Sequence, residues 1–306
     1  MLIELIMFMF GLIFTLFFLK PYFIISVLKQ FFVSDIFDRE VPIEPESQIT
    51  YKNYTGNIYR IQKHHNGDLD LVTRKISTND ANYMLPMPIS YNFSPTIPNQ
   101  NVIVWIHGGA FSVEKPYFTP FIFTLAKELQ MDLFSFDYPT LMFKSQDFVM
   151  EYILKTMMYF KNFSSVVIMA DSAGAYYLSI LYNKIKKIIN INKIILIHPF
   201  LSKINPIIDI AFNTLMVSKK YNKLNLVFDK PLMIINSKND IFYKKTSEIP
   251  KTPKDVYVEY NCDLCTHDFP FFNSDLDKTR LLVKDVYNWI ILDKKPGQPT
   301  TLATSL

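Results

Sequence analysis

The sequence predicts an α/β fold: a mostly parallel sheet with helices on both faces, preceded by an apolar N-terminal helix. Three observations carry this. Runs such as NVIVWI (101–106) and SSVVIMA (164–170) are apolar throughout, as strands covered on both faces are. Between them lie stretches with apolar residues at three- and four-residue steps, the period of an amphipathic helix. Small and polar motifs follow directly after the strands, where open parallel sheets bind ligands.

The 306 residues suffice for one large domain or two small ones, and the 49% hydrophobic fraction can fill a sizeable core. A net charge of +4 arises from 32 basic and 28 acidic residues scattered without an Arg-rich stripe, which argues against a nucleic-acid partner. Residues 1–30 read as a membrane anchor. Leu5–Leu19 carries no charge, and the span becomes adequate if it takes in Leu2 and Ile3 or passes Lys20, whose stem can snorkel. No basic start or A-x-A site marks a cleaved leader. Lys20, Lys29 and Arg39 favour a cytosolic body. Sequons at Asn53, Asn92 and Asn162 point the other way, but in so Asn-rich a chain they decide nothing. Asn162 also precedes the strand at Val166 so closely that a glycan should fit poorly.

The main domain is expected over 31–293. NIYRIQKH and LDLVTRKIS read as early antiparallel strands, and Gly56 as a loop residue. NVIVWI follows, then a helix in FTPFIFTLAKELQ, a strand at 132–138 and a helix over 145–163. SSVVIMA is the next strand and AGAYYLSILYNKIKKI its helix, with lysines at the end that the dipole favours. KIILIHPF, PLMIINS and DVYVEYN are further strands, and DLDKTRLLVKDVYNWIILD closes the domain as a helix. A short lid insertion is placed at about 200–230, and 294–306 reads as a disordered tail.

After SSVVIMA comes Asp171-Ser172-Ala173-Gly174-Ala175, so the strand end reads A-D-S-A-G, one residue from G-x-S-x-G. That pattern is a sharp strand-to-helix turn that exposes a serine hydroxyl. Its bland alternative is a serine capping a helix. The loop His107-Gly108-Gly109-Ala110 weighs against that alternative, since it follows the strand two before and matches an HGGG-type oxyanion loop. Amides of Gly108, Gly109 and Ala173 are the expected oxyanion donors. The order then requires an acid and, last, a histidine. Asp240 lies past PLMIINS, with Asp263 as the fallback, and His267 lies past the last strand. The other histidines (His64, His65, His107 and His198) precede the sheet, sit in the Gly loop or end an earlier strand. Cys262 and Cys265 form a CxxC pair that can be a redox motif, half a zinc site, a local disulfide or nothing. No cofactor or metal is expected.

HGGAF, FDYPT, ADSAGA, NSKND and THDF together resemble the hormone-sensitive-lipase-like esterases, which include arylacetamide deacetylases and steryl acetyl hydrolases. The resemblance covers about residues 100–290 and implies an α/β-hydrolase fold. It implies a serine carboxylic ester hydrolase (an esterase, lipase or deacetylase) with Ser172, Asp240 and His267 as its triad. Ala170 and Ala175 replace glycines of the family's elbow, and the lid segment is short. An anchored hydrolase of this kind resembles single-span deacetylases of the endoplasmic reticulum, which implies a lumenal domain and a lipophilic ester substrate. Two rival readings stay open: a non-catalytic scaffold of the same fold that binds a ligand or partner, and an amidase or formamidase on the same triad.

Overall fold

The computed structural model describes residues 43, 45–63, 100–141, 143–200, 228–240, 255–262, 265–272 and 277–295. The expected anchor, the LDLVTRKIS strand, most of the lid segment and most of the tail lie outside them, as does Asp263. Among the described residues, no helix is long and apolar enough to cross a membrane.

Eight strands form one sheet: β1 (Pro45–Tyr51), β2 (Tyr54–Ile61), β3 (Asn101–Ile106), β4 (Asp132–Phe136), β5 (Ser165–Asp171), β6 (Ile191–Ile197), β7 (Leu232–Ser237) and β8 (Val256–Tyr260). Their spatial order is β1-β2-β4-β3-β5-β6-β7-β8. The pairs β1–β2 and β2–β4 are antiparallel, and every later pair is parallel. The described helices are α1 (Pro120–Leu129), α2 (Gln146–Met157), α3 (Ser172–Ile185), α4 (Phe269–Phe272) and α5 (Asp277–Ile291).

The central strands are apolar throughout because both faces are covered. On β3, Val102, Val104 and Ile106 face a core shared with α2 and α3, while Ile103 and Trp105 face one shared with α1 and α5. Each fully buried Val or Ile there stabilises the fold by about 1.5–3 kcal/mol. Capping sets the helix starts. Thr119 precedes Pro120, whose missing N–H costs nothing at a first helical position. The Ser145 side chain accepts from the Phe148 amide, satisfying an orphan donor of α2.

Three expectations are corrected here. The helix over 145–163 ends at Met157 and tightens into a 3-10 turn over Met158–Phe160. Its apolar period continues because Phe160 and Phe163 both pack against Phe134. Gly56 is a strand residue of β2, where an added Cβ would lie 3.0 Å from Asp137 Cβ. Asn162 is exposed in the turn before β5, so a glycan has room there; Asn53 is exposed as well.

Candidate active site

The site lies at the carboxyl ends of β3, β5, β6, β7 and β8. Strand β5 ends at Asp171 and α3 begins at Ser172 with no intervening residue. Ser172 takes φ 42°, a left-handed conformation that side chains seldom adopt and that strained functional turns retain. The turn is tight enough that Gly174 admits no side chain. An added Cβ would overlap the Ile106 carbonyl oxygen and lie 2.6 Å from that of His107. The alanines at 170 and 175 are both fully buried within the core, so the elbow closes without the family's glycines there.

Three chain segments bring the predicted serine, acid and histidine together. His267 Nε2 lies 2.9 Å from Ser172 Oγ, and Nδ1 lies 3.1 Å from Asp240 Oδ1. With Nδ1 protonated, the ring donates to Asp240 and accepts from the serine hydroxyl. The loops carrying the acid and the histidine are joined. Asn239 Nδ2 donates to the Cys262 carbonyl at 2.7 Å, and the Ser237 hydroxyl donates to that of Cys265. Cys262 and Cys265 are disulfide-bonded, which closes the turn before His267 and withholds both thiols from any metal. Burial pulls the basicity of His267 down. Asp268, Asp240 and Asp171 more than offset it, and the ring is pushed up to about 9.

The glycine loop holds a correction. The Gly108 amide is committed, since it donates to Asp171 Oδ2 at 2.9 Å, so it does not aim at a substrate oxygen. Gly108 is glycine for a different reason: an added Cβ would overlap that carboxylate and lie 2.9 Å from Ser172 Cβ. Gly109 takes φ 107°, which only glycine adopts readily, and Ala110 takes φ 51°. Among the described residues, nothing accepts from the amides of Gly109, Ala110 or Ala173. Tyr138 holds the loop from its carbonyl side, donating to His107 O and, at 3.3 Å, to Gly108 O.

Asp171 is a site residue that the motif search passed over. It accepts from Trp105 Nε1 at 2.6 Å, from the Gly108 amide and from the Tyr117 hydroxyl. Burial raises its carboxyl to about 6 against those three donors. One fully buried side chain thus pins the glycine loop to the elbow. The signal was its position beside Ser172, together with a tryptophan near the end of β3.

Neither remaining described histidine is a base. His107 stacks on Tyr138 at 4.3 Å, and burial lowers it to about 4. Burial lowers His198 to about 3, and its Nδ1 accepts from the Asp268 amide at 3.1 Å.

A model of the steryl acetyl hydrolase family matches residues 15–284. No curated protein matches the chain. The fold is similar to that of solved esterases. One of two fungal esterases from Rhizomucor miehei superposes with a TM-score of 0.56 at 12% identity, covering 86% of this chain and 88% of that one. An esterase from Pyrobaculum calidifontis gives 0.53 at 15% identity, covering 86% and 91%. A phosphonate-type inhibited esterase B from Lactobacillus rhamnosis gives 0.53 at 15% identity, covering 86% and 92%. The glycine loop, the elbow and the strand order agree with the family match, and the chain belongs to the steryl acetyl hydrolase family, carboxylic ester hydrolases of the α/β-hydrolase fold.

Proposed function

We propose that the protein is a serine esterase that removes a short acyl group from a lipophilic alcohol through an acyl-enzyme on Ser172. The observation that carries this reading is His267, which reaches Ser172 Oγ at 2.9 Å and Asp240 at 3.1 Å from opposite ring nitrogens. His267 takes the serine proton as Oγ attacks the ester carbonyl. Asp240 holds the ring's tautomer and stabilises the imidazolium. The amides of Gly109, Ala110 and Ala173 bind the oxyanion, each donor contributing about 2.7–4 kcal/mol to the transition state. The imidazolium then gives its proton to the leaving alcohol, and water releases the acid by the same steps.

The family name supports an acetylated sterol as the substrate. The uncharged residues 5–19 support attachment to a membrane, from which such a substrate would be drawn. We infer that the domain faces the lumen of the endoplasmic reticulum, as the resemblance to single-span deacetylases implies; the Cys262–Cys265 disulfide supports that side. A glycosidase-sensitive mobility shift checks it, and a chain that carries no glycan when expressed in a eukaryotic cell contradicts it.

The activity is tested with purified full-length chain on a steryl acetate in detergent and on matched soluble acetyl esters and amides. Ester hydrolysis that falls by roughly 10³-fold or more in Ser172→Ala agrees with the proposal. Faster turnover of the amide favours the amidase, and hydrolysis of neither by folded protein leaves the scaffold.

A further inference from the structure

The triad accounts for one carboxylate beside His267, and the site holds a second. Asp268, 5% exposed, directs Oδ2 to within 3.3 Å of His267 Nε2, the nitrogen that also faces Ser172. Its other oxygen, Oδ1, has no hydrogen-bond partner among the described residues and lies 3.7 Å from His198 Nδ1. A buried carboxylate with no cation costs several kcal/mol. His198 cannot supply one, because burial keeps it neutral and its Nδ1 already accepts from the Asp268 amide. Burial accordingly raises the Asp268 carboxyl well above the usual carboxylate range, and among the described residues the proton it shares with His267 relieves its charge. The backbone holds the residue there, with Asp268 at φ 55° and its amide fixed on His198.

We propose that Asp268 is a positioning residue of this hydrolase: its carboxylate holds the Nε2 edge of His267, opposite the Asp240 contact, and sets the pH range in which the base is free to take the Ser172 proton. The proposal rests on the serine-esterase reading above. A proton shared by His267 and Asp268 occupies Nε2. It must pass to solvent before Nε2 can accept from Ser172. Once the serine has attacked, its proton resides on Nε2, and the carboxylate stabilises that cation until the proton moves to the leaving alcohol. Asp268 itself ends each cycle unchanged.

The charged and titratable groups that face the ring among the described residues are Asp240 after β7, Asp171 at the end of β5, His198 after β6 and Asp268 on its own loop. His198 is neutral, so it adds no competing charge. Each carboxyl group raises the base while it is ionised; burial raises Asp171 and Asp268 in turn, so His267 and Asp268 hold one proton between them.

The test is the pH dependence of kcat/KM for hydrolysis of phenyl acetate, followed by alkali uptake, in wild type, Asp268→Asn and Asp268→Gly. Asparagine and glycine both tolerate the left-handed backbone at this position. The proposal predicts a wild-type acid limb near 9 that moves down by about 1–3 pH units in both variants. The ratio of the rate at neutral pH to the alkaline rate rises by tenfold or more in the variants, following from that displacement. An active wild type whose limb is unchanged in both variants overturns the proposal, as does an equal loss of rate at every pH. An inactive wild type instead overturns the esterase reading, and the proposal falls with it. Should neither variant fold, the His267 ring protons of Ser172→Ala are titrated by NMR, and a midpoint in the ordinary histidine range near 6.5 overturns the proposal.

Discussion

Two residues that are not in the triad control whether it can work. Asp171 gathers Trp105, Gly108 and Tyr117 onto one carboxylate, and so fixes the glycine loop against the elbow. Asp171→Asn replaces an acceptor oxygen with a donor, and the loop amides then lose their aim. We expect kcat/KM to fall by about 10²–10³-fold, the cost of one misplaced oxyanion donor, with substrate binding less affected. Steady-state kinetics check this; a KM effect alone contradicts it. Gly174→Ala would drive a methyl into the carbonyl ends of β3. It should destabilise the fold by about 1–3 kcal/mol or more, read as a lower urea midpoint at constant slope. The meeting of Ser172, Asp240 and His267 was legible from the sequence, because each follows a strand and the elbow motif sets their order. The role of Gly108 was not, because the direction of an amide depends on a carboxylate 63 residues away.

The elements differ in how openly the sequence declares them. Strands β3, β5 and β7 are buried on both faces, and their apolar runs mark them almost to the residue. Strand β1 went unread because PESQITY turns only Ile49 and Tyr51 toward the core, both half-buried, too short an apolar alternation to mark an edge strand. The four-residue helix α4 is too short to show a period. The disulfide was ambiguous in sequence, since spacing alone does not distinguish a redox pair from a structural one. In the fold it closes the loop between β8 and His267, and the acid loop hydrogen-bonds to both of its carbonyls. Replacing both cysteines by serine should therefore lower stability by about 2 kcal/mol, the chain-entropy value for so short a loop. It should also slow hydrolysis, because the geometry between Asp240 and His267 loosens. Thermal unfolding and kinetics on the same sample check both; an unchanged rate contradicts the coupling.

At the scale of the molecule, the site leaves a signature in stability. The folded state holds a proton on the His267–Asp268 pair up to about pH 9, whereas the histidine of the unfolded chain releases it near 6.5. That contribution is present in full below pH 6.5 and is lost as the pH rises through about 9. The buried histidines His107 and His198, lowered to about 4 and 3, act with the opposite sign, but only below 6.5. The melting temperature should thus decline from neutral pH toward 9, and replacing both members of the pair, His267→Gln with Asp268→Asn, should flatten the decline. A wild-type slope that survives in this variant contradicts the assignment. The central claim is that one serine, at the elbow, carries the acyl group. Its most direct measurement is the mass of the folded full-length chain after reaction with a fluorophosphonate, followed by mapping of the modified peptide. The account predicts one adduct per chain, on Ser172, formed in parallel with loss of esterase activity. An adduct on another residue, or full inactivation with Ser172 unmodified, would contradict it.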